Sequence, residues 1–144
     1  MKKTSLLFIL SAITFIAFGQ KPTPTVTAFA QYNADYPPSL AFDGDKKTRW
    51  ASPDHKDFDS MWIQADYGKP ITVSKIKFKQ YKTRITKFVI EYQEGDQWIK
   101  LIKDSLISDT YKNSFKPVTA QVFKLTVLER SEKKGPGFYE ISFE

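Results

Sequence analysis

The chain has 144 residues, 15% of them aromatic, a formal charge of +6 and no cysteine. That length supports one domain, and the lack of cysteine excludes both a disulfide framework and a thiolate metal site. The lysines are interspersed with acids, so the positive balance reads as a solvated surface with weak attraction to anions, without the basic–aromatic stripe of a nucleic-acid binder.

The first element reads as an address rather than part of a fold. Lys2 and Lys3 precede an apolar run from Leu6 to Phe18, with Ala17 and Gly19 as small residues just before Gln20. This pattern predicts a secretory signal peptide over 1–19, cut before Gln20. The run is shorter than the roughly 20 residues of a spanning helix, and no cysteine stands at the cut to carry a lipid. Export is therefore expected, to the periplasm, the cell surface or the medium. Residues 20–25, "QKPTPT", form a polar lead-in, and residues 26–144 are expected to form the domain.

Alternation of period two dominates the remainder of the chain, as in half-buried strands. After the strand-like runs "VTAFAQ" and "MWIQADYG", Ile76 and Phe78 alternate with Lys75, Lys77 and Lys79. Phe88, Ile90 and Tyr92 alternate with Glu91 and Gln93, and Phe123, Leu125 and Val127 with Lys124 and Thr126. At the end Tyr139, Ile141 and Phe143 are placed on one face and Glu140 and Ser142 on the other. Turn signals such as "YPPS", "DGD", "YGKP", "EGDQ" and "KGPG" separate the runs. The pattern predicts an all-β antiparallel sandwich or barrel. Residues 52–60, "SPDHKDFDS", read as an exposed loop of the kind that carries function.

No catalytic constellation is visible. His55 is the one histidine, too few for a His/Cys zinc site, and no nucleophile elbow is present. The carboxylate pairs Asp57 with Asp59 and Glu91 with Glu94 sit in polar surroundings where nothing would raise a pKa for acid catalysis. The domain is expected not to be an enzyme. The stretch "AFDGDKKTRW" (41–50) groups Asp43, Asp45 and Thr48 around Gly44. Those oxygens suit calcium, but position 5 from Asp43 is Lys47 and position 12 is Asp54, so it is not an EF-hand. The residues alone leave open a calcium loop and a plain Asp-Gly turn.

Four pieces, "AFDGDKKTRW", "WIQADYGKPITVSKIKF", "KFVIEYQEGDQWIKL" and "QVFKLTVLERSEKKGPGFYEISFE", stand in the order and spacing of coagulation-factor type C (discoidin-like, galactose-binding-like) domains, which the chain resembles over about residues 25–144. A closer likeness runs through "KFKQYKTRITKFVIEYQEGDQWIKL" and "DTYKNSFKPVTAQVFKLTV". These resemble the C-terminal β-sandwich of bacterial α-L-fucosidases, with Gln80, Tyr81, Arg84, Ile85, Tyr111 and Lys112 carrying the match.

The resemblance implies an eight-stranded antiparallel jelly-roll β-sandwich and, for many bacterial members, carbohydrate binding with a structural Ca2+. By resemblance the ion would take Asp43, Thr48, backbone oxygens near Leu40 and Asp45, and Glu140 with the carbonyl of Tyr139. Trp50, Trp62 and Trp98 would pack as core. Sugar recognition needs an aromatic face with planar donors and acceptors, and the candidates on the loops are Tyr36, with Tyr32, His55, Phe58 and Arg84. The expected partner is a glycan containing fucose or galactose. The alternatives are an adhesion or membrane-lipid surface module, with Phe58 and Met61 as its apolar tip, and a stabilising appendage of a separate enzyme.

Overall fold

The computed structural model describes residues 20–54 and 61–144. His55 and Phe58 lie outside the described residues, as does the leader. Seven strands and one short 3-10 helix are formed among the described residues. They are β1 (Thr25–Ala28), the helix (Pro38–Ala41), β2 (Trp50–Ala51), β3 (Met61–Gln80), β4 (Ile85–Glu94), β5 (Gln97–Ser105), β6 (Thr110–Arg130) and β7 (Gly137–Phe143). Every pairing is antiparallel. No helix among the described residues is long and apolar enough to cross a membrane.

Two long strands create the layers. β3 and β6 pair along most of their lengths, but the register breaks between Asp66 and Ile71, where Gly68 has a φ of 70°, and shifts again between Val73 and Lys75. Before the break, β3 pairs with β1 and with Val122–Val127 of β6. That half of β6 pairs with β4, which pairs with β5. After the break, β3 pairs with β6 from Thr110 to Ala120 and with β7, whose other neighbour is β2. The two halves face each other across aromatic contacts. Phe78 meets Phe88 at 5.1 Å and Phe123 meets Phe143 at 4.6 Å between ring centroids. The expected β-sandwich class holds. The strand count of eight differs because two strands run unbroken through both layers.

Alternation sets what is buried, as expected of strands with one face on a core. Met61, Ile63, Ala65, Ile76, Phe78, Phe88, Ile90, Phe123, Leu125, Ile141 and Phe143 all point inward. The fully buried Trp50 stacks on Phe138 at 6.0 Å, and its Nε1 donates to the Ala30 carbonyl at 3.0 Å.

Three expectations need correction. Met61 is buried, so it cannot be a membrane-facing tip. Trp62 and Trp98 are only half-buried, and the Lys124 ammonium covers the Trp98 ring at 3.8 Å. Tyr139 is not the inward residue of its strand. A bulge pairs Lys79 with Glu140 but Gln80 with Phe138, so the extra residue is Tyr139 and Phe138 takes the core position. Tyr139 instead packs edge-on against Tyr81 at 5.9 Å.

Candidate functional site

Two groups of side chains concentrate polar chemistry, and both begin in residues 41–50. In the first, Gly44 adopts a left-handed φ of 78°, which glycine tolerates without steric cost. The turn then folds on itself. The Asp45 N–H donates to Asp43 Oδ1 at 2.9 Å, and the Thr48 hydroxyl donates to Asp43 Oδ2 at 2.7 Å and lies 3.0 Å from the Asp45 carbonyl. Glu140, from the last strand, accepts the Gly44 N–H at 3.1 Å. Asp43, Asp45, Thr48 and Glu140 are thus brought together, with Leu40 three residues before Asp43 and Tyr139 directly before Glu140.

Glu140 has its pKa raised to about 7. Burial is the largest cause and the Asp43 and Asp45 charges add to it, against the Gly44 N–H and Lys46, which pull the other way. Among the described residues, no group of three or more His, Cys, Asp or Glu side chains gathers in a way that would hold a metal by itself. Calcium does not require that, because carbonyl and hydroxyl oxygens serve alongside carboxylates. A half-buried carboxylate beside a hydroxyl, a carbonyl and a second carboxylate fits its donor chemistry.

The second group lies where loops meet at one end of the sandwich. Here Gln80 is the organiser. Its amide is buried and fully used: Oε1 accepts from Arg84 N at 3.0 Å and Ile85 N at 2.7 Å, while Nε2 donates to the Ile85 and Ser108 carbonyls at 3.2 and 2.9 Å. These bonds shape the turn from β3 into β4 and set the direction of Arg84. Nη1 of Arg84 donates to the Gly135 carbonyl at 2.9 Å. Gly135 in turn donates its N–H to Asp54 Oδ1 at 2.7 Å. No larger residue fits there, because a Cβ would sit 2.3 Å from the Ser52 carbonyl oxygen.

Tyr32, Tyr36, Arg49, Asp54, Tyr81, Arg84 and Gly135 line a cleft of about 260 Å³. Tyr32 is 61% exposed and meets Tyr36 edge-on at 6.1 Å. The Arg49 guanidinium lies over two rings, 4.3 Å from the centroid of Tyr36 and 4.1 Å from that of Tyr81. Of the residues singled out from sequence, the structure therefore brings Tyr36, Tyr32 and Arg84 into one cleft, with His55 next in sequence to the lining residue Asp54.

Sequence reading missed Arg49, Tyr81, Asp54 and Gly135. Arg49 had a signal: it precedes the buried Trp50, so alternation turns it to the opposite face. A larger hollow of about 500 Å³ lies over the outer face of β3, β6 and β7, beside Lys77, Lys79 and Lys112. Two of its cations are already paired, Lys77 with Glu144 at 2.8 Å and Lys79 with Asp109 at 3.8 Å. The smaller cleft, with rings and guanidinium groups that form no ion pair among the described residues, is the better candidate.

The domain is thus a two-layer antiparallel sandwich with a cleft where loops meet at one end. The F5/8 type C domain profile matches residues 25–141, and the chain belongs to that family. The fold is that of carbohydrate-binding modules. Chitosan-binding module 1 of a chitosanase/glucanase from Paenibacillus sp. IK-5 is 23% identical, with 86% of this chain and 96% of that one covered at a TM-score of 0.77. A pectin-binding carbohydrate-binding module is 27% identical over 87% of this chain and 92% of its own, at 0.70. A glycoside hydrolase family 29 fucosidase of Ruminococcus gnavus, in complex with fucose, is 24% identical over 84% of this chain but only 25% of its own, at 0.71. No match was found among the curated proteins.

Proposed function

We propose that this is an exported, non-catalytic carbohydrate-binding module whose glycan sits in the loop-end cleft. The observation that carries the reading is the convergence of Tyr36, Tyr81, Arg49 and Arg84 around one open hollow. A pyranose ring offers apolar C–H faces and a rim of hydroxyls, and it is recognised by aromatic faces with a few fixed polar groups. Tyr32, exposed at the rim, supplies a further face, and His55, which follows the lining residue Asp54 in the sequence, is proposed as a further donor or acceptor. The solved modules of this fold named for chitosan and pectin support the class of ligand, and fucose or galactose units are the sugars to test first. The test is a glycan array followed by calorimetric titration. Arg84→Ala and His55→Ala should each weaken the best glycan by about tenfold or more, roughly 1.4 kcal/mol. If no glycan binds, the carbohydrate reading fails.

We also propose that Asp43, Thr48 and Glu140, with carbonyls near Leu40, Asp45 and Tyr139, hold a structural Ca2+. The ion would tie the turn after the 3-10 helix to the last strand in a chain without disulfides. Added calcium should raise the melting temperature and EDTA should reverse the rise, while Asp43→Asn should abolish the response. An unchanged melting temperature in calcium and in EDTA refutes the ion.

A further inference from the structure

Resting on the reading of the cleft as a sugar site, we propose that the sugar it selects is acidic, with a carboxylate or sulfate ester held between Arg49 and Arg84. Among the described residues, neither guanidinium forms an ion pair. The Nε atoms of both are buried and have no hydrogen-bond partner. The Arg49 guanidinium carbon lies over both the Tyr36 and the Tyr81 rings, which makes its in-plane N–H groups, rather than its π faces, the donors for a ligand. Arg84 lies over the same Tyr81 ring at 5.3 Å, and Lys82 Nζ stands 5.5 Å from it. Three cations therefore crowd one tyrosine.

The acid that lines the cleft offsets them only in part, because its charge acts on Arg84 but both its oxygens are taken by other donors. Asp54 gives one oxygen to the Gly135 N–H and the other to Lys134 Nζ at 2.9 Å. Among the described residues Arg49, Arg84 and Lys82 still outnumber that one carboxylate, and half-buried like charges in excess carry a cost. A neutral sugar leaves that cost in place, because hydroxyl groups bring dipoles but no charge. An anionic substituent removes it, and a planar carboxylate matches the two parallel N–H groups of a guanidinium edge. The ammonium of lysine offers no such fork, so the use of arginine at both positions points to oriented recognition rather than diffuse attraction.

The experiment is calorimetric titration of the whole chain with paired probes. One arm uses oligomers of galacturonic, glucuronic and mannuronic acid against their methyl esters. The other uses galactose oligomers with and without a sulfate ester. One acidic probe should bind at least about tenfold tighter than its neutral partner, and the arm in which this occurs identifies the substituent. That advantage should shrink as salt is raised from about 50 mM to about 500 mM, as screening of a partly exposed pair requires. Arg84→Gln and Arg49→Lys should each remove most of it, with circular dichroism melting used to confirm folding. Should a variant unfold, the salt dependence of the unaltered protein decides alone. Equal affinity for acidic and neutral partners overturns acid selection while leaving the sugar site standing. Failure of every probe and every array glycan overturns both.

Discussion

Replacing Gln80 by Leu tests the claim that a single buried amide builds the wall of the cleft. The two side chains are close in volume, so packing changes little. Four hydrogen bonds vanish, and what matters is the partners left behind. The N–H groups of Arg84 and Ile85 lose the oxygen that accepts both, at 3.0 and 2.7 Å. The Ile85 and Ser108 carbonyls lose their donor. Gln80 is 1% exposed, so water does not replace it without opening the turn. Leaving a buried polar group unpaired costs about 1–3 kcal/mol. Two stranded N–H groups, with carbonyls that tolerate loss better, give a total of roughly 3–5 kcal/mol on that scale. Urea denaturation followed by tryptophan fluorescence measures it, with an unchanged m-value as the sign that the denatured state is the same. A loss below about 1 kcal/mol would refute the reasoning, since it would mean the turn holds its shape without the amide.

Two further predictions rest on single contacts. Trp50→Ala removes a fully buried ring stacked on Phe138 and leaves the Ala30 carbonyl without its donor, so a loss of about 3–5 kcal/mol is expected in the same urea assay. Glu144 has its pKa lowered to about 2 from the ordinary 4.5, chiefly by the Lys77 ammonium and then by the Ser142 hydroxyl. A depressed carboxylate stabilises the fold above its unfolded pKa, and the contribution is lost as pH falls from about 4.5 towards 2. The Glu144 side chain is 42% exposed, so screening holds the effect below about 1 kcal/mol. Denaturation midpoints of the unaltered protein and Glu144→Gln should differ slightly at pH 7 and converge near pH 2. A constant gap across that range would contradict the assignment.

The sandwich was legible because its signal is local. Alternation at Ile76 and Phe78, at Phe88 and Ile90, and at Phe123 to Val127 names the buried face of each strand without knowledge of its partner. Where alternation failed, a long-range event intervened. The bulge at Tyr139 depends on how β7 registers against β3, and no nearby residue announces it. The first half of β6 is harder to read because Pro117 interrupts it. The ladder skips from Val118 to Ser114 opposite Val73 and Lys75, which places the proline in the irregular step where a missing N–H is tolerated. The cleft was legible in part. Arg84 and Tyr36 are loop residues with suitable chemistry, whereas Tyr81, Asp54 and Gly135 acquire meaning only when four chain segments meet. Gln80 looks like an ordinary strand-end polar residue until its four partners are counted.

The stretch 41–50 serves three ends at once, and this bears on whether they are coupled. Asp43 and Thr48 belong to the acidic turn, Arg49 to the cleft and Trp50 to the core. Proximity would suggest that the proposed calcium ion tunes sugar affinity. The contacts argue otherwise. Arg49 is held by the rings of Tyr36 and Tyr81, and Trp50 by Phe138 and the Ala30 carbonyl. None of these partners belongs to the acidic turn, and the link towards the ion's proposed ligands is an edge-on ring contact of Tyr81 with Tyr139. That turn is also closed without the ion, through the Gly44 N–H on Glu140 and the Thr48 hydroxyl on Asp43. Coupling between sites needs an element with two arrangements that both ligands bias, and the bonds that close the turn do not pass through Arg49 or Trp50. The ion should therefore add stability, roughly 2.7 kcal/mol at a hundredfold excess over its dissociation constant. EDTA should nonetheless change glycan affinity by less than about threefold, or roughly 0.7 kcal/mol. Titrating the best glycan with and without EDTA, at a temperature well below melting, measures this directly. A tenfold loss of affinity on chelation would show that the turn reorganises and carries Arg49 with it.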